Sequence, residues 1–227
     1  MQTAAAIAHE LNQPLSAISS YADVALHMLQ TRGSNQQKLL QLMENCSAQA
    51  QRAGDVIRQL LALLQKAENP SERLDVNVCV RDAISLFESD TDAAAFNVET
   101  DFAADLPPVM ANAMQIQKVL INLFRNGAEA MREQGQGAGK IVAKTRRCAL
   151  DSSMVLVTVQ DSGKGVADTS LLRKVFQPFY TTKSESNGLG MGLAISRSLI
   201  AAHGGSMWAE QNAGQGLSIH FTLPIAA

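Results

Sequence analysis

Near its amino end the chain reads His9-Glu10-Leu11-Asn12-Gln13-Pro14. A neutral imidazole with the ordinary pKa of about 6.5 is a competent nucleophile at neutral pH. A neighbouring carboxylate accepts a hydrogen bond from one ring nitrogen, raises the basicity of the other and takes up a proton during attack. Gln13 lies one turn beyond His9 on the same helical face, where its amide can orient a water. Pro14 removes a backbone bond to residue 10 and bends the helix, so the turn carrying His9 can loosen. The set offers a nucleophile, His9, with Glu10 as its base and Gln13 beside them to hold a water.

Three further segments carry groups of a different kind. In the stretch from Gln115 to Met131, Ile116, Val119, Leu120, Leu123 and Phe124 share one helical face, while Asn122, Asn126 and Glu129 share another. Stacked asparagines lower helix propensity. They fit either a solvated face or oxygen donors toward Mg²⁺ and phosphate. A valine-rich strand ends at Asp161, followed by Gly163 and Gly165. That carboxylate suits the exocyclic amino group of adenine, with glycines allowing close backbone approach. A surface turn is the alternative. Gly188, Gly190 and Gly192 precede an apolar helix, whose free N–H groups suit a triphosphate. No G-K-S/T follows them, and a polar loop precedes them where a dinucleotide fingerprint needs a strand. Upstream, Phe176 and Phe179 can anchor a lid, and Lys183 can reach phosphate or solvent.

These residues need elements to hold them. Over residues 1–68, apolar or small positions recur at Ala4, Ile7, Leu11, Pro14, Ile18, Tyr21, Ala25 and Met28, then at Leu39, Met43, Cys46, Ala50, Ala53, Ile57, Leu60 and Leu64. Alternating steps of three and four predict two helices with heptad seams. Thr31–Asn35 supplies the break and an N-cap. On this seam His9 faces solvent. Leu15, Leu26, Leu40 and Leu61 widen the stripe beyond what one hairpin buries. A dimeric four-helix bundle answers that, and packing of the hairpin on the second half is the other solution. Residues 69–75 read as a linker.

Over residues 76–227 helices and strands alternate. Helices are predicted near 77–89, 112–134 and 191–203, and strands near 96–101, 140–147, 153–160, 206–211 and 217–223. A polar, glycine-rich region fills 162–190. The class is α+β: a mixed sheet with helices on one face.

Composition narrows the functions. The 227 residues are 46% apolar and 18% charged, enough for a real core, and a net charge of −2 favours neither nucleic acid nor an anionic membrane. Cys46, Cys79 and Cys148 are odd in number and far apart, fitting reduced, buried thiols in a cytoplasmic protein. No apolar run reaches membrane-spanning length, and no signal peptide is expected.

The four segments around Asn122–Asn126, Asp161–Gly165, Phe176–Lys183 and Gly188–Gly192 resemble, in that order, the N, G1, F and G2 boxes. These belong to the ATPases shared by histidine kinases, gyrase-type enzymes, ninety-kilodalton heat-shock chaperones and mismatch-repair proteins. Residues 9–15, HELNQPL, look like the H box of bacterial sensor histidine kinases. Their sequence is nearest the group containing oxygen- and dicarboxylate-sensing kinases of nitrogen-fixing bacteria. Together the resemblance covers nearly the whole chain.

It implies a dimerisation and phosphotransfer hairpin followed by an α/β-sandwich Bergerat ATP-binding domain. ATP and Mg²⁺ are the implied ligands, with Asn126 holding the metal, Asn122 near the phosphates and Asp161 on adenine. Gly163, Gly165, Gly188, Gly190 and Gly192 shape the pocket, and Arg125 and Lys183 are candidates to steady the moving phosphate. The implied partners are a second copy of the chain and a response-regulator receiver domain that takes the phosphate on an aspartate. Two positions depart from the common pattern. Gln13 stands where Thr or Asn is usual, which bears on phosphatase activity, and Glu129 where many relatives have Lys. Rival readings are an ATPase of the same superfamily that releases phosphate to water, and a dimeric scaffold that binds nucleotide only as a regulator.

Overall fold

The structure, a computed structural model, describes residues 2–30, 35–64, 71–89, 96–135, 139–166, 168–181 and 190–226. The chain divides into a helical unit and a sheet unit.

In the helical unit, α1 (Gln2–Gln30) and α2 (Gln36–Leu64) lie side by side as a hairpin, with Cys46 Sγ 3.7 Å from Ile18 O. Asn35 opens α2: its Oδ1 accepts from the N–H of Gln37 at 3.1 Å and of Lys38 at 3.4 Å. That satisfies orphan donors of the first turn. Helix α1 continues through Pro14, which is buried. Leu11, Ile18, Tyr21, Ala25 and Met28 are all buried or half-buried, as the heptad reading of α1 requires.

Helix α2 departs from its expected seam. Leu39, Cys46 and Ala53 are covered, but Leu42 and Val56 are buried and Gln49 half-buried where the sequence suggested Met43, Ala50 and Ile57. Two neighbouring heptad columns flank the shared one, and both are largely apolar. The hairpin uses one column and leaves Met43 and Ile57 exposed. Gln49, a polar residue on the used column, is what made the other read as the seam. Leu15, Leu26 and Leu29 on α1 and Leu40 on α2 are exposed too, Leu29 and Leu40 to 60%.

The sheet unit begins with β1 (Glu72–Leu74), inside the segment read as linker, which pairs antiparallel with β3 (Val109–Ala111). Helix α3 (Val76–Glu88) is capped by Asp75, whose Oδ1 accepts from Val78 N–H at 3.1 Å. Strand β2 (Phe96–Phe102) precedes β3, and α4 (Ala113–Arg132) is capped by Asn112 through Gln115 N–H at 3.1 Å. Strands β4 (Gly139–Arg147) and β5 (Met154–Gln160) follow. A 3-10 helix over Thr169–Phe176 occupies part of the region expected to be irregular. Helix α5 (Gly192–Ala202) and the hairpin of β6 (Met207–Gln211) and β7 (Leu217–Pro224) complete the unit.

The main sheet runs β2-β4-β5-β7-β6, with β2 parallel to β4 and the other pairs antiparallel. Strand alternation sends Ile141, Ala143, Val155, Val157, Phe221 and Leu223 to one face, all without solvent exposure. The apolar stripes of α3 and α4 cover that face, with Phe87 and Phe124 rings 5.6 Å apart and tilted by 52°. The other face carries ion pairs of Lys140 with Glu99 and Arg146 with Asp101, and a Trp208–His220 stack. Of the cysteines only Cys79 is buried, which pushes its thiol up to about 12 and makes it inert. Cys46 and Cys148 are half-buried, so the expectation of three buried thiols holds for one.

Candidate functional site

Helix α4 is the backbone of the site. Its buried stripe fixes its rotation, so Asn122, Asn126 and Glu129 fall on the flank that the sheet does not cover, and all three are half-buried. At Gly127 the helix comes so near the end of β5 that a Cβ there would lie 3.1 Å from Asp161 Cβ. One turn on, a Cβ on Gly163 would lie 2.7 Å from Ala130 Cβ, closer than side-chain carbons pack. The Asp161–Gly165 loop is thus pressed against the last turns of α4, which explains the glycine at position 163.

Asp161 is held firmly. Its N–H donates to Leu217 O at 3.0 Å. Its Oδ1 accepts from Gly163 N–H at 2.9 Å and Leu217 N–H at 3.1 Å. Burial raises its carboxyl above the usual range, and those two bonds offset part of the rise. Both bonds fall on one oxygen, leaving Oδ2 as the acceptor for a donor arriving from outside. Gly165 has φ of +65°, a left-handed conformation suited to glycine, and its Cα faces the Gln211 amide. Gln211 Oε1 accepts from Val166 N–H at 3.0 Å.

At the other end of the α4 face, Asn122 Nδ2 donates to Ser196 Oγ of α5 at 3.0 Å. A Cβ on Gly192 would collide with the Asn122 amide. The first turn of α5 therefore abuts Asn122, and Met191, its N-cap residue, makes no side-chain capping bond. Among the described residues no side chain caps that turn, and N–H groups so placed suit an acceptor. Gly190, with φ of +63°, passes within 2.5 Å, measured from an added Cβ, of Tyr180 O. From Asn122 to Ala130 α4 rises about 12 Å, enough to separate a base-binding end from a phosphate-binding end.

The sequence-predicted residues divide accordingly. Asn122, Asn126, Asp161, Gly163, Gly165 and Gly192 come together around α4, with Gly190 just ahead of α5. His9 and Glu10 lie within α1, and their side chains are outside the described residues. Gln13 is exposed. Lys183 and Gly188 also lie outside the described residues. Asn126 and Glu129 offer amide and carboxylate oxygens, the hard donors that Mg²⁺ takes. Among the described residues no cluster of three or more His, Cys, Asp or Glu exists, so phosphate and water must supply most of such an ion's shell. The donor set fits that division. Sequence reasoning missed the β6–β7 turn, where Gln211, Asn212 and Ser218 brace the Asp161 loop.

An aspartate at a strand end, a glycine-bearing loop packed on an asparagine-lined helix, and an open helix N-terminus beyond define a nucleotide-binding ATPase domain carried behind a helical hairpin. Residues 111–227 match the family model for histidine kinase-, DNA gyrase B- and HSP90-like ATPases, and residues 1–69 that for the His Kinase A (phospho-acceptor) domain. The sensor protein FixL of Bradyrhizobium diazoefficiens is 39% identical over 228 residues, covering 99% of this chain and 43% of FixL. The C4-dicarboxylate transport sensor protein DctS of Rhodobacter capsulatus is 37% identical over 224 residues, covering 99% of this chain and 33% of DctS. The catalytic domain of the histidine kinase ThkA superposes with a TM-score of 0.58 at 30% identity, over 69% of this chain and 97% of that one. ThkA solved in complex with its response regulator TrrA shares the fold over 99% of this chain and 61% of that one, with a TM-score of 0.74 at 24% identity. The chain belongs to the sensor histidine kinase family and is the catalytic core of such a kinase. It spans less than half the length of the curated relatives FixL and DctS.

Proposed function

We propose that this core binds Mg·ATP in the sheet unit, transfers the γ-phosphoryl group to His9, and passes it to an aspartate of a response-regulator receiver domain. The observation that carries the reading is the Asp161–α4–α5 arrangement: a half-buried carboxylate at one end of a helical face and an open helix N-terminus at the other. Asp161 Oδ2 accepts the adenine amino proton, and the first turn of α5 with Asn122 meets phosphate. Asn126 holds Mg²⁺, which neutralises charge on the phosphates when bound. Gly163 and Gly165 let the loop close on the base, Gly188, Gly190 and Gly192 shape the approach to phosphate, and Lys183 steadies it. Catalysis is then chiefly positioning and charge neutralisation.

His9 attacks the γ-phosphorus through one ring nitrogen, the bond to the β–γ bridging oxygen breaks to release ADP, and Glu10 accepts the proton from the other ring nitrogen. Gln13 is exposed on α1, where its amide can orient a water for dephosphorylation. Seven large apolar residues exposed among the described residues of the hairpin support a homodimer closing a four-helix bundle. The response-regulator partner rests on the phospho-acceptor match. No helix among the described residues is long and apolar enough to cross a membrane, and the reaction belongs in the cytoplasm, where ATP is supplied.

Incubation with γ-labelled ATP tests the reading. Label that is acid-labile and base-stable, and absent from His9→Gln, is the expected result. Label that survives in His9→Gln, or steady ATP turnover with no phosphoprotein, overturns it.

A further inference from the structure

The turn between β6 and β7 holds more of the base-binding loop than its turn-like sequence suggests. Asn212 Nδ2 donates to the backbone carbonyl of Asp161 at 2.8 Å and to Gln215 O at 3.3 Å. Its Oδ1 accepts from Ser218 Oγ at 2.7 Å. These bonds specify one orientation of the amide: reversing it would set oxygen against two carbonyls and lose Ser218's acceptor. Asn212 N–H donates to Gly216 O at 3.2 Å, and Gly216, at φ of +97°, lies so close to Asp161 O that only glycine fits. Counting Leu217, residues of this turn engage Asp161 at its N–H, its carbonyl and its carboxylate.

We infer that Asn212, oriented by Ser218, is a positioning residue for base recognition: it fixes the Asp161 peptide so that the carboxylate's free oxygen points at the adenine amino group. The inference rests on the proposed role of Asp161. The Asp161 carbonyl has its acceptor direction set by the Asn212 amide. Rotating that peptide would carry Gly163 N–H away from Oδ1 and let the carboxylate swing. A half-buried carboxylate recognises a single amino group well only when it cannot swing, because the site then supplies one acceptor at one place. A brace acting from the far side of the strand end, without touching ligand, provides that.

The consequence is specific to one functional group of the ligand. Binding of ATP is compared with that of purine riboside triphosphate, which lacks the amino group, using wild type, Asn212→Ala, Ser218→Ala, Ser218→Thr and Asp161→Asn, all in the full chain. Wild type is expected to prefer ATP. Asn212→Ala should weaken ATP about tenfold, the order expected for one bond to a buried carbonyl, and leave the analogue nearly unchanged. The preference then collapses. Ser218→Ala should lower it in part, and Ser218→Thr, which keeps the hydroxyl, should restore it. An equal loss for both nucleotides would mean that Asn212 merely stabilises the fold and would overturn the inference, as would a preference left intact. If Asn212→Ala does not fold, the Ser218 pair decides by the same criterion. A wild type without preference, unaltered by Asp161→Asn, would instead overturn the adenine role of Asp161 itself.

Discussion

The two units solve the burial problem in opposite ways. In the sheet unit, Val80, Ile116, Val119, Leu120, Phe124, Ile141 and Phe221 have no solvent exposure, and one apolar cluster joins both layers. In the hairpin, Leu15, Val24, Leu26, Leu29, Leu40, Met43 and Ile57 are all more than 40% exposed. A helix pair offers each helix one neighbour, whereas a helix on a sheet meets several strands and flanking helices. The sheet unit completes its own core. The hairpin leaves those columns uncovered among its described residues, which is what the proposed second copy would cover. The proposed chemistry follows that split: a rigid unit to grip nucleotide, and an unfinished one whose outer faces stay available.

The sharpest way to separate the units is His9→Gln. Phosphoprotein should vanish altogether, while nucleotide titration of the same variant gives the wild-type dissociation constant. Loss of nucleotide binding along with the label would mean that the units do not divide the work in this way.

Phe124→Ala tests the completeness of the sheet core. The ring is wholly buried and packs on Phe87, so truncation should cost about 3–5 kcal/mol, partly through the cavity left behind. Thermal unfolding should show the sheet transition moving down sharply, with the helical signal of the hairpin retained. A single transition shifted as a whole would show the units to be one cooperative block.

Leu29→Ala probes the unfinished side. The residue is 60% exposed in one chain, so the protomer should hardly notice the change. A two-fold interface loses the side chain twice, and at about 1.5 kcal/mol per buried leucine the dissociation constant should rise on the order of a hundredfold. Sedimentation at graded concentration reads this directly. An unchanged constant would remove Leu29 from the interface.

The same contrast explains what the sequence made legible. Helix α4 was readable to within two residues at either end, because an amphipathic stripe with Asn112 as cap is a local signal. Asn122, Asn126 and Asp161 stood out only through the order of the four segments, because singly the asparagines fit a solvated face and Asp161 a surface turn. The seam of α2 was not readable, since two adjacent apolar columns satisfy the same period and only the neighbour chooses between them. Strands β1 and β3 are three residues each, too short to alternate, and exist because they pair with each other. The Asn212 brace joins residues 51 positions apart, beyond any local pattern. Asn-Ala-Gly-Gln-Gly reads as a turn whether or not it holds an aspartate.

The smallest expected effect is a pH dependence that runs in two directions at Asp161. Its carboxyl titrates higher in the folded protein than in the unfolded chain, because burial disfavours the ion. As pH falls through the folded value, the native state takes up a proton that the unfolded state has yet to bind, so nucleotide-free protein gains stability from this group. Adenine needs the ionised form as acceptor, so nucleotide affinity falls over the same range. His220, held below its ordinary value by burial, acts the other way on stability and should be removed by difference. Melting temperatures of wild type and Asp161→Asn, with and without ATP, should therefore diverge on acidification. The rise in melting temperature that ATP confers on wild type shrinks, while that of Asp161→Asn stays flat. Equal pH profiles would mean that the carboxylate neither feels its burial nor contacts the base, and would leave the grip on nucleotide to α5 and Asn122 alone.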